Sequence, residues 1–382
     1  MKTRSVFCLL AFASLISATS AAVHFSQWFK RFRHVFETIV REDCQSEYQE
    51  YLTQVAPKNN LSETITPVID CLLGNLNEAQ KANMAAAAVL LGLLPTTLGL
   101  VGSTTVEVGL VALRRPLLAF LLAAGAPAVS PIRTFDYVDV EELLQKTPRS
   151  VKRLSMGPAK SHTVAVLQYI IVAAAVLNLA FMSYELSIRT LCSFSPETAY
   201  QPALWAFLAI AVHAFGSCST YLRVRIVADG SGANTSGPGR LWQRIRREFT
   251  PSAAREEAEL EINDETYGYI FLAWFTSMIT VLHIVYGTLV FSSILFISTG
   301  DAVMVVSRYL SSTLVCRTIV MFELSGLRQV LDHQKRVSRS GHEFTPMEEI
   351  HGKMPLSYHQ CPPRKDVVLR YEEESQSSFL GN

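Results

Sequence analysis

The chain has 382 residues, of which 49% are hydrophobic and 18% are charged, and its mean hydropathy is +0.23. A soluble globular protein of this size does not need so apolar a chain, so the composition favours a membrane protein. The formal net charge of +1 excludes the strongly basic character of a nucleic-acid-binding protein.

The N-terminus has the layout of a cleavable secretory signal over residues 1–22. Lys2 and Arg4 precede an apolar run from Val6 to Ile16, and small residues follow. An uncleaved signal anchor is the alternative, although the apolar run is short for a membrane span. The layout predicts that the mature chain begins outside the cytosol.

Residues 23–83 predict a small helical head on that extracytosolic side. Apolar residues recur there at the three-and-four spacing of amphipathic helices. Because about 60 residues form only a marginal core, we expect a disulfide between Cys44 and Cys71 to stabilise the head. Asn60, in the sequence NLS, is a glycosylation sequon on the same side.

Apolar segments of sufficient length predict about five membrane spans. They comprise residues 84–102, 163–184, 202–221, 269–298 and 301–323. The apolar stretch at 116–130 is short, which favours an interfacial or re-entrant helix over a further span. The segment 301–323 contains two arginines, so a helix lying in the membrane interface is the alternative to crossing.

Basic residues predict the orientation of these spans. They are concentrated in residues 103–162 and 222–267, which are therefore predicted to be cytosolic loops. If 301–323 crosses the membrane, the tail 324–382 is also cytosolic, and its polar composition predicts that it is largely disordered. Within the second loop a basic amphipathic segment favours contact with anionic lipid, an ordinary solvated helix being the alternative. Its basic face consists of Arg240, Arg244 and Arg247.

Four polar residues inside the spans are candidates for an intramembrane function. His213, His283, Arg308 and Arg317 lie in apolar surroundings, where they would line a transport path or a proton relay. Interhelical hydrogen bonding is the alternative role. The sequence contains no HExxH, GxxxxGK[ST], GxSxG or CxxC motif, so we predict no catalytic residue, cofactor or metal site.

The runs NMAAAAVLLGLLPTTL and LRRPLLAFLLAAGAPA resemble the first hydrophobic region of uncharacterised multi-pass integral membrane proteins of filamentous ascomycete fungi. The resemblance implies a eukaryotic membrane protein of the secretory pathway, in the plasma membrane or an endomembrane. It implies no particular activity.

These observations predict an all-α polytopic transmembrane helix bundle with a small helical lumenal or extracellular head and a cytosolic C-terminus. We expect a non-enzymatic interaction, accessory or sensor protein that contacts membrane lipids and protein partners, with the oligomeric state left open. A transporter or channel that uses the intramembrane histidines and arginines is the alternative.

Overall fold

The computed structural model describes residues 27–53, 61–131, 143–144, 158–196, 198, 200–227, 248–252 and 259–342. Within these residues the fold is the predicted all-α bundle, and five helical segments are long and apolar enough to cross a membrane. They are Glu78–Val101, Lys160–Arg189, Gln201–Arg223, Tyr267–Ser292 and Thr299–Gln329. The predicted signal segment 1–22, the sequon at Asn60 and the basic residues Arg240, Arg244 and Arg247 lie outside the described residues.

Among the described residues of the head there are three helices, α1 (Arg33–Glu42), α2 (Gln45–Thr53) and α3 (Leu61–Asn75). Cys44 and Cys71 form the expected disulfide, with their Cα atoms 6.0 Å apart. Buried aromatic residues fill the space between the helices, and Trp28 stacks on Phe36 with ring centroids 4.7 Å apart. The disulfide therefore joins the start of α2 to α3 beside an aromatic core.

The first span consists of two helices, α4 (Glu78–Gly92) and α5 (Leu94–Val101). Asn77 begins α4 with a capping box, because its side chain accepts from the Gln80 N–H while Gln80 accepts from the Asn77 N–H. The span therefore starts before the predicted residue 84. Pro95 lies in the first turn of α5, where it has no helical hydrogen bond to lose, so the break falls at Leu93.

Two short helices follow inside the segment that was predicted to be a cytosolic loop. They are α6 (Thr105–Arg114) and α7 (Pro116–Gly125), and most of their residues are buried. A bridge between Ser103 and Val129 joins the two ends of this pair, so the chain turns at Arg115 and comes back. Ten residues are too few to cross a membrane, so neither helix is a further span. We call α6 and α7 the re-entrant pair, because the chain comes back on itself at Arg115.

The other four spans are α8 (Pro158–Arg189), α9 (Gln201–Arg223), α10 (Tyr267–Ser292) and α11 (Thr299–His342). Strands β1 (Leu191–Cys192) and β4 (Ile294–Leu295) pair antiparallel, as do β2 (Val224–Val227) and β3 (Glu259–Ile262).

Two helix ends differ from the predicted bounds. The predicted span 269–298 ends at Ser292, because Ile294 and Leu295 leave the helix to pair with β1. Within the tail 324–382, which was predicted to be largely disordered, residues up to His342 continue α11, and residues 343–382 lie outside the described residues. Residues 1–338 form one compact unit and residues 339–382 a second, of which the structure describes only 339–342, where α11 ends.

The bundle has a head end and a far end. At the head end, Leu191 and Phe296 belong to the buried cluster of the head, and the Thr299 N–H donates to the Asn83 side chain at 2.9 Å. At the far end lie Arg115, the β2–β3 hairpin and residues 248–252. The spans alternate in direction between these ends, so α11 runs from the head end to the far end.

Small residues allow α6 to pack tightly against α9. A Cβ atom at Gly216 would overlap Thr105, and one at Gly109 would overlap Thr220. Glycines of this kind allow close approach between membrane helices. Large apolar side chains point outward from the spans, including Leu177, Leu100 and Phe271, as expected of a surface that faces lipid.

Candidate functional site within the helix bundle

The last span, α11, contains several charged residues, and three of them form ion pairs with other helices of the bundle. Arg308, Arg317 and Glu323 lie about 13, 27 and 36 Å from Thr299 along the axis, at a rise of about 1.5 Å per residue. Because a hydrocarbon core is about 30 Å thick, charges at these positions need a partner or a route to the surface. Each of the three has a different set of neighbours.

Arg317 pairs with Glu107 in the first turn of α6. Its Nη1 donates to Glu107 Oε2. The same oxygen accepts from the Thr104 N–H at 2.7 Å, while Thr104 Oγ1 accepts from the Glu107 N–H at 3.2 Å. This capping box satisfies donors of a helix that begins beside Gly216, inside the bundle. Arg317 therefore neutralises the carboxylate that starts the re-entrant pair.

Arg115 lies fully buried at the turn of the re-entrant pair and binds Glu323. Its Nη1 donates to Glu323 Oε1 at 2.7 Å and to Gln168 Oε1 of α8 at 2.5 Å. The Gln168 amide in turn donates to Glu323 Oε1 at 2.8 Å. Both charged side chains are only 1% exposed, so water screens this pair very little. The network holds α8, α11 and the re-entrant pair together at the far end.

A short segment of the loop between β2 and β3 completes the same network. Arg115 Nε donates to the Glu248 backbone carbonyl at 2.7 Å, and Ser252 donates to Glu323 Oε2 through both its N–H and its hydroxyl. The Glu248 carboxylate accepts from the Leu118 N–H at 3.0 Å and from the Tyr169 hydroxyl at 2.7 Å. It therefore caps the start of α7, where the helix dipole favours an anion. We call residues 248–252 the docked segment.

Arg308 lies nearer the head end, between α11 and α8. Its Nη1 is 3.9 Å from Glu185 Oε2, while Arg189 Nη1 is 2.7 Å from Glu185 Oε1. Its guanidinium also lies over the Phe181 ring, 5.6 Å from the centroid. Asn178 donates to the Arg308 carbonyl at 3.1 Å and to Ser312 at 2.9 Å, which fixes α11 against α8. One carboxylate thus serves two arginines.

Both histidines hydrogen-bond to the backbone of other elements. His283 Nε2 is 2.9 Å from the Trp205 carbonyl, the Trp205 indole N–H donates to the His283 carbonyl at 3.1 Å, and the two rings are stacked. His213 hydrogen-bonds to the backbone of Ala128. The Nδ1 atom of each ring has no hydrogen-bond partner among the described residues. These contacts join α9 to α10 and α9 to the chain that leaves the re-entrant pair.

The candidate residues named from sequence do not form one site. Arg308 and Arg317 face different neighbours, and the histidines lie in the α9–α10 region. Sequence reasoning missed the carboxylates Glu107, Glu185 and Glu248 and the buried Arg115. The available signal was a charged residue inside an apolar run, as in TVEVGLVALRR, where Glu107 and Arg115 stand in one buried stretch.

Two further kinds of chemistry, metal binding and thiol reactivity, can be judged from the surroundings of the side chains. Among the described residues no group of three or more His, Cys, Asp or Glu side chains is placed to hold a metal ion. In the connection between α8 and α9, burial raises the pKa of the Cys192 thiol to about 11, so the thiol stays protonated at neutral pH. Comparison with known protein families, curated proteins and solved structures finds no match for this chain.

Proposed function

We propose that the protein is a non-enzymatic membrane protein that works as a sensor or through protein partners, with its head as the receiving element. The observation that supports this proposal most is the shared core of the head and the bundle. Trp28 and Phe36 of the head pack edge-to-face on Phe296, at centroid distances of 6.4 and 5.4 Å. Phe296 lies in the connection between α10 and α11.

The backbone at Phe296 is in a conformation that its side chain disfavours. Its φ is 65°, in the left-handed region that bulky residues rarely adopt. The side chain is fully buried against the head, so packing with the head compensates for the backbone conformation. Loss of that packing is expected to let this connection relax.

Further contacts join the head and the start of α4 to the first turn of α11, and α11 extends from there to the far end. The Arg31 guanidinium of the head lies directly over Gly300, in the first turn of α11. Asn83 accepts from the Thr299 N–H at the same place. A displacement of the head therefore acts on the helix that contains Arg317 and Glu323.

The experiment replaces Phe296 by Ala in the full chain and measures hydrogen exchange at the far end. We expect faster exchange in the docked segment and in the re-entrant pair, as well as in the head. Phe194→Ala is the matched control, because Phe194 lies in the neighbouring α8–α9 connection but is 47% exposed. If the head loosens while far-end exchange stays at the wild-type rate, the two ends are uncoupled and the sensor proposal fails.

The orientation belongs to the same proposal. A cleaved signal over residues 1–22, the excess of Arg and Lys in 103–162 and 222–267, and a resemblance to secretory-pathway proteins of fungi support a lumenal head and a cytosolic far end. An endoglycosidase shift that Asn60→Gln abolishes, together with a protease-sensitive C-terminal tag in intact microsomes, is the expected result. A protected tag would reverse the assignment of the tail.

A transporter or channel is the second candidate, and the re-entrant pair favours it. Broken helices inside a bundle occur in transporters, where non-helical backbone lines the substrate path. Here the break before α6 is next to the Glu107–Arg317 pair. The test measures the flux of a panel of solutes into proteoliposomes. Flux of a transported solute would fall in Glu107→Gln, Arg317→Ala and His213→Ala, but not in Arg33→Gln on the head. Unchanged flux in all folded variants would remove the support for this candidate.

A further inference from the structure

A group of charged side chains at the lipid-facing edge between α8 and α11 has more positive than negative charge. It consists of Arg189, Arg308 and Glu185, which we call the Arg308 cluster. Glu185 is 2.7 Å from Arg189 and 3.9 Å from Arg308, so one carboxylate lies between two guanidinium groups. The formal charge of the three side chains is therefore +1.

Arg308 has few strong acceptors in this cluster. A guanidinium carries five N–H donors, and 3.9 Å to Glu185 is too long for a direct hydrogen bond. Its Nη1 lies 2.8 Å from the thioether sulfur of Met182, which is a weak acceptor. The Arg308 side chain is 40% exposed and the Arg189 side chain is 23% exposed, although Nε of Arg189 is itself buried. The cluster thus offers donors to an additional anion.

The cluster lies at the depth of lipid headgroups on the head side. The span Thr299–Gln329 has 31 residues and is about 46 Å long, which exceeds a hydrocarbon core of about 30 Å by roughly 8 Å at each end. Arg308 then lies only about 5 Å inside the core, and its side chain leans toward the head end, since side chains tilt toward the helix N-terminus. Glu185 and Arg189 lie in the last turn and a half of α8, at the boundary itself.

The surface below the cluster is apolar and faces outward. Phe181 is 52% exposed and Leu177 is 70% exposed on α8, and Met304 is 61% exposed on α11. Tyr184, also exposed, stands beside Glu185 and offers a hydroxyl at the interface. Acyl chains fit such a surface, while a phosphate fits the arginines, since guanidinium groups bind phosphate with paired N–H donors.

We propose that the Arg308 cluster binds the phosphate of an anionic phospholipid in the leaflet on the head side, with the acyl chains lying along Phe181 and Leu177. The site depends on the charge balance of its own side chains and not on the sensor function. Arg308 is the principal ligand, Arg189 is the second, and Glu185 limits the affinity by competing for both arginines.

The test measures lipid binding to the full-length protein after removal of co-purified lipid. Native mass spectrometry follows a titration with phosphatidylglycerol and, separately, with phosphatidylcholine. We expect tighter binding of phosphatidylglycerol, and a roughly fivefold loss of that affinity in Arg308→Gln, as expected for one basic residue at an anionic membrane surface. Arg33→Gln is the matched control, because Arg33 forms only an exposed ion pair on α1. This variant should bind both lipids as the wild type does.

Glu185→Gln separates a binding role from a structural one. Removing the carboxylate raises the cluster charge from +1 to +2, so phosphatidylglycerol should bind more tightly, again roughly fivefold, although an ion pair is lost. A structural role predicts weaker binding in both variants. If Arg308→Gln does not fold, Arg308→Lys and Glu185→Gln retain the test, since lysine keeps the charge but not the paired donors.

Three results would overturn the proposal. They are equal affinity for the two lipids in the wild type, equal phosphatidylglycerol affinity in Arg308→Gln and Arg33→Gln, and weaker phosphatidylglycerol binding in Glu185→Gln. A further arm adds glycerol 3-phosphate or inorganic phosphate at millimolar concentration. Displacement of phosphatidylglycerol by either compound would assign the cluster to a soluble phosphate and refute a lipid site, whereas no displacement supports the role of the acyl chains.

Discussion

The buried network at the far end predicts that replacing Arg115 destabilises the protein more than replacing its partner Glu323 does. Arg115 is the only cation among the three ionic side chains described above, and Glu323 and Glu248 are the two carboxylates. Replacement of Arg115 by Gln therefore leaves the two carboxylates, of total formal charge −2, without the arginine of this network. Replacement of Glu323 by Gln leaves one cation beside one carboxylate. The two variants thus place the same residue, glutamine, at one or the other partner of a single ion pair.

The magnitudes follow from burial and from the hydrogen bonds lost. Removing one partner of a buried ion pair costs about 3–5 kcal/mol, and Arg115 and Glu323 are each 1% exposed. Glu323→Gln keeps the shape and part of the accepting capacity toward Ser252 and Arg115, so its cost is about 2 kcal/mol from weaker, partly reversed hydrogen bonds. Because 1 kcal/mol corresponds to about 2 °C for a chain of this size, Arg115→Gln should lower Tm by about 6–10 °C and Glu323→Gln by about 4 °C.

The assay is thermal unfolding of the purified full-length protein in detergent, followed by the fraction that remains monodisperse. Arg33→Gln is the control, because Arg33 and Glu37 form an exposed pair at 3.2 Å that contributes only about 0.3–0.5 kcal/mol. The double variant at Arg115 and Glu323 should be less destabilised than the sum of the two, since the partners interact directly. A Glu323 variant as damaged as the Arg115 variant would refute the argument from charge balance.

Three further results are expected. Cys44→Ser should destabilise the head by about 3–4 kcal/mol, from the closed loop of 27 residues, and should increase its protease sensitivity under non-reducing conditions. Maleimide labelling of Cys192, read by peptide mapping, should stay low from pH 7 to 9 because burial raises the pKa of its thiol to about 11, and unfolding should restore labelling. Gly216→Val should disrupt packing between α6 and α9 and lower Tm by several degrees, whereas Gly268→Val, with open space around it, should not.

Sequence reasoning found the spans and the disulfide because both follow from local chemistry. A run of some twenty apolar residues has few alternatives to a membrane helix. Two cysteines in a predicted extracytosolic head of about 60 residues have few alternatives to a disulfide. The ends of the spans were harder to predict from the sequence. Ile294 and Leu295 are as apolar as the helix before them, and only their pairing with β1 ends α10.

The site was less predictable because its partners are far apart in the chain. Arg317 and Glu107 are separated by 210 residues, and Arg115 and Glu323 by 208. Their pairing depends on the re-entrant pair, whose depth in the bundle is set by close contacts such as Gly216 with Thr105. Composition identified charges that needed partners, but only the packing of the helices decides which partners they meet.

The positions of the charges on α11 restrict how a signal could pass along it. At 100° per residue, Arg308 and Arg317 lie on opposite sides of the helix, and Glu323 lies within about 60° of Arg308. The helix is thus held by α8 on one side and by α6 on the other.

Rotation of α11 by one residue would break all of these pairs together. Loss of the buried Arg115–Glu323 pair alone would cost about 3 kcal/mol or more, which is at or above the 1–3 kcal/mol typical of coupling between sites. The docked segment is held to α11 by fewer bonds, from the N–H and hydroxyl of Ser252 to Glu323. A sensor built on this bundle would therefore respond by a small tilt of α11 that breaks the bonds between Ser252 and Glu323, and not by rotation of the helix.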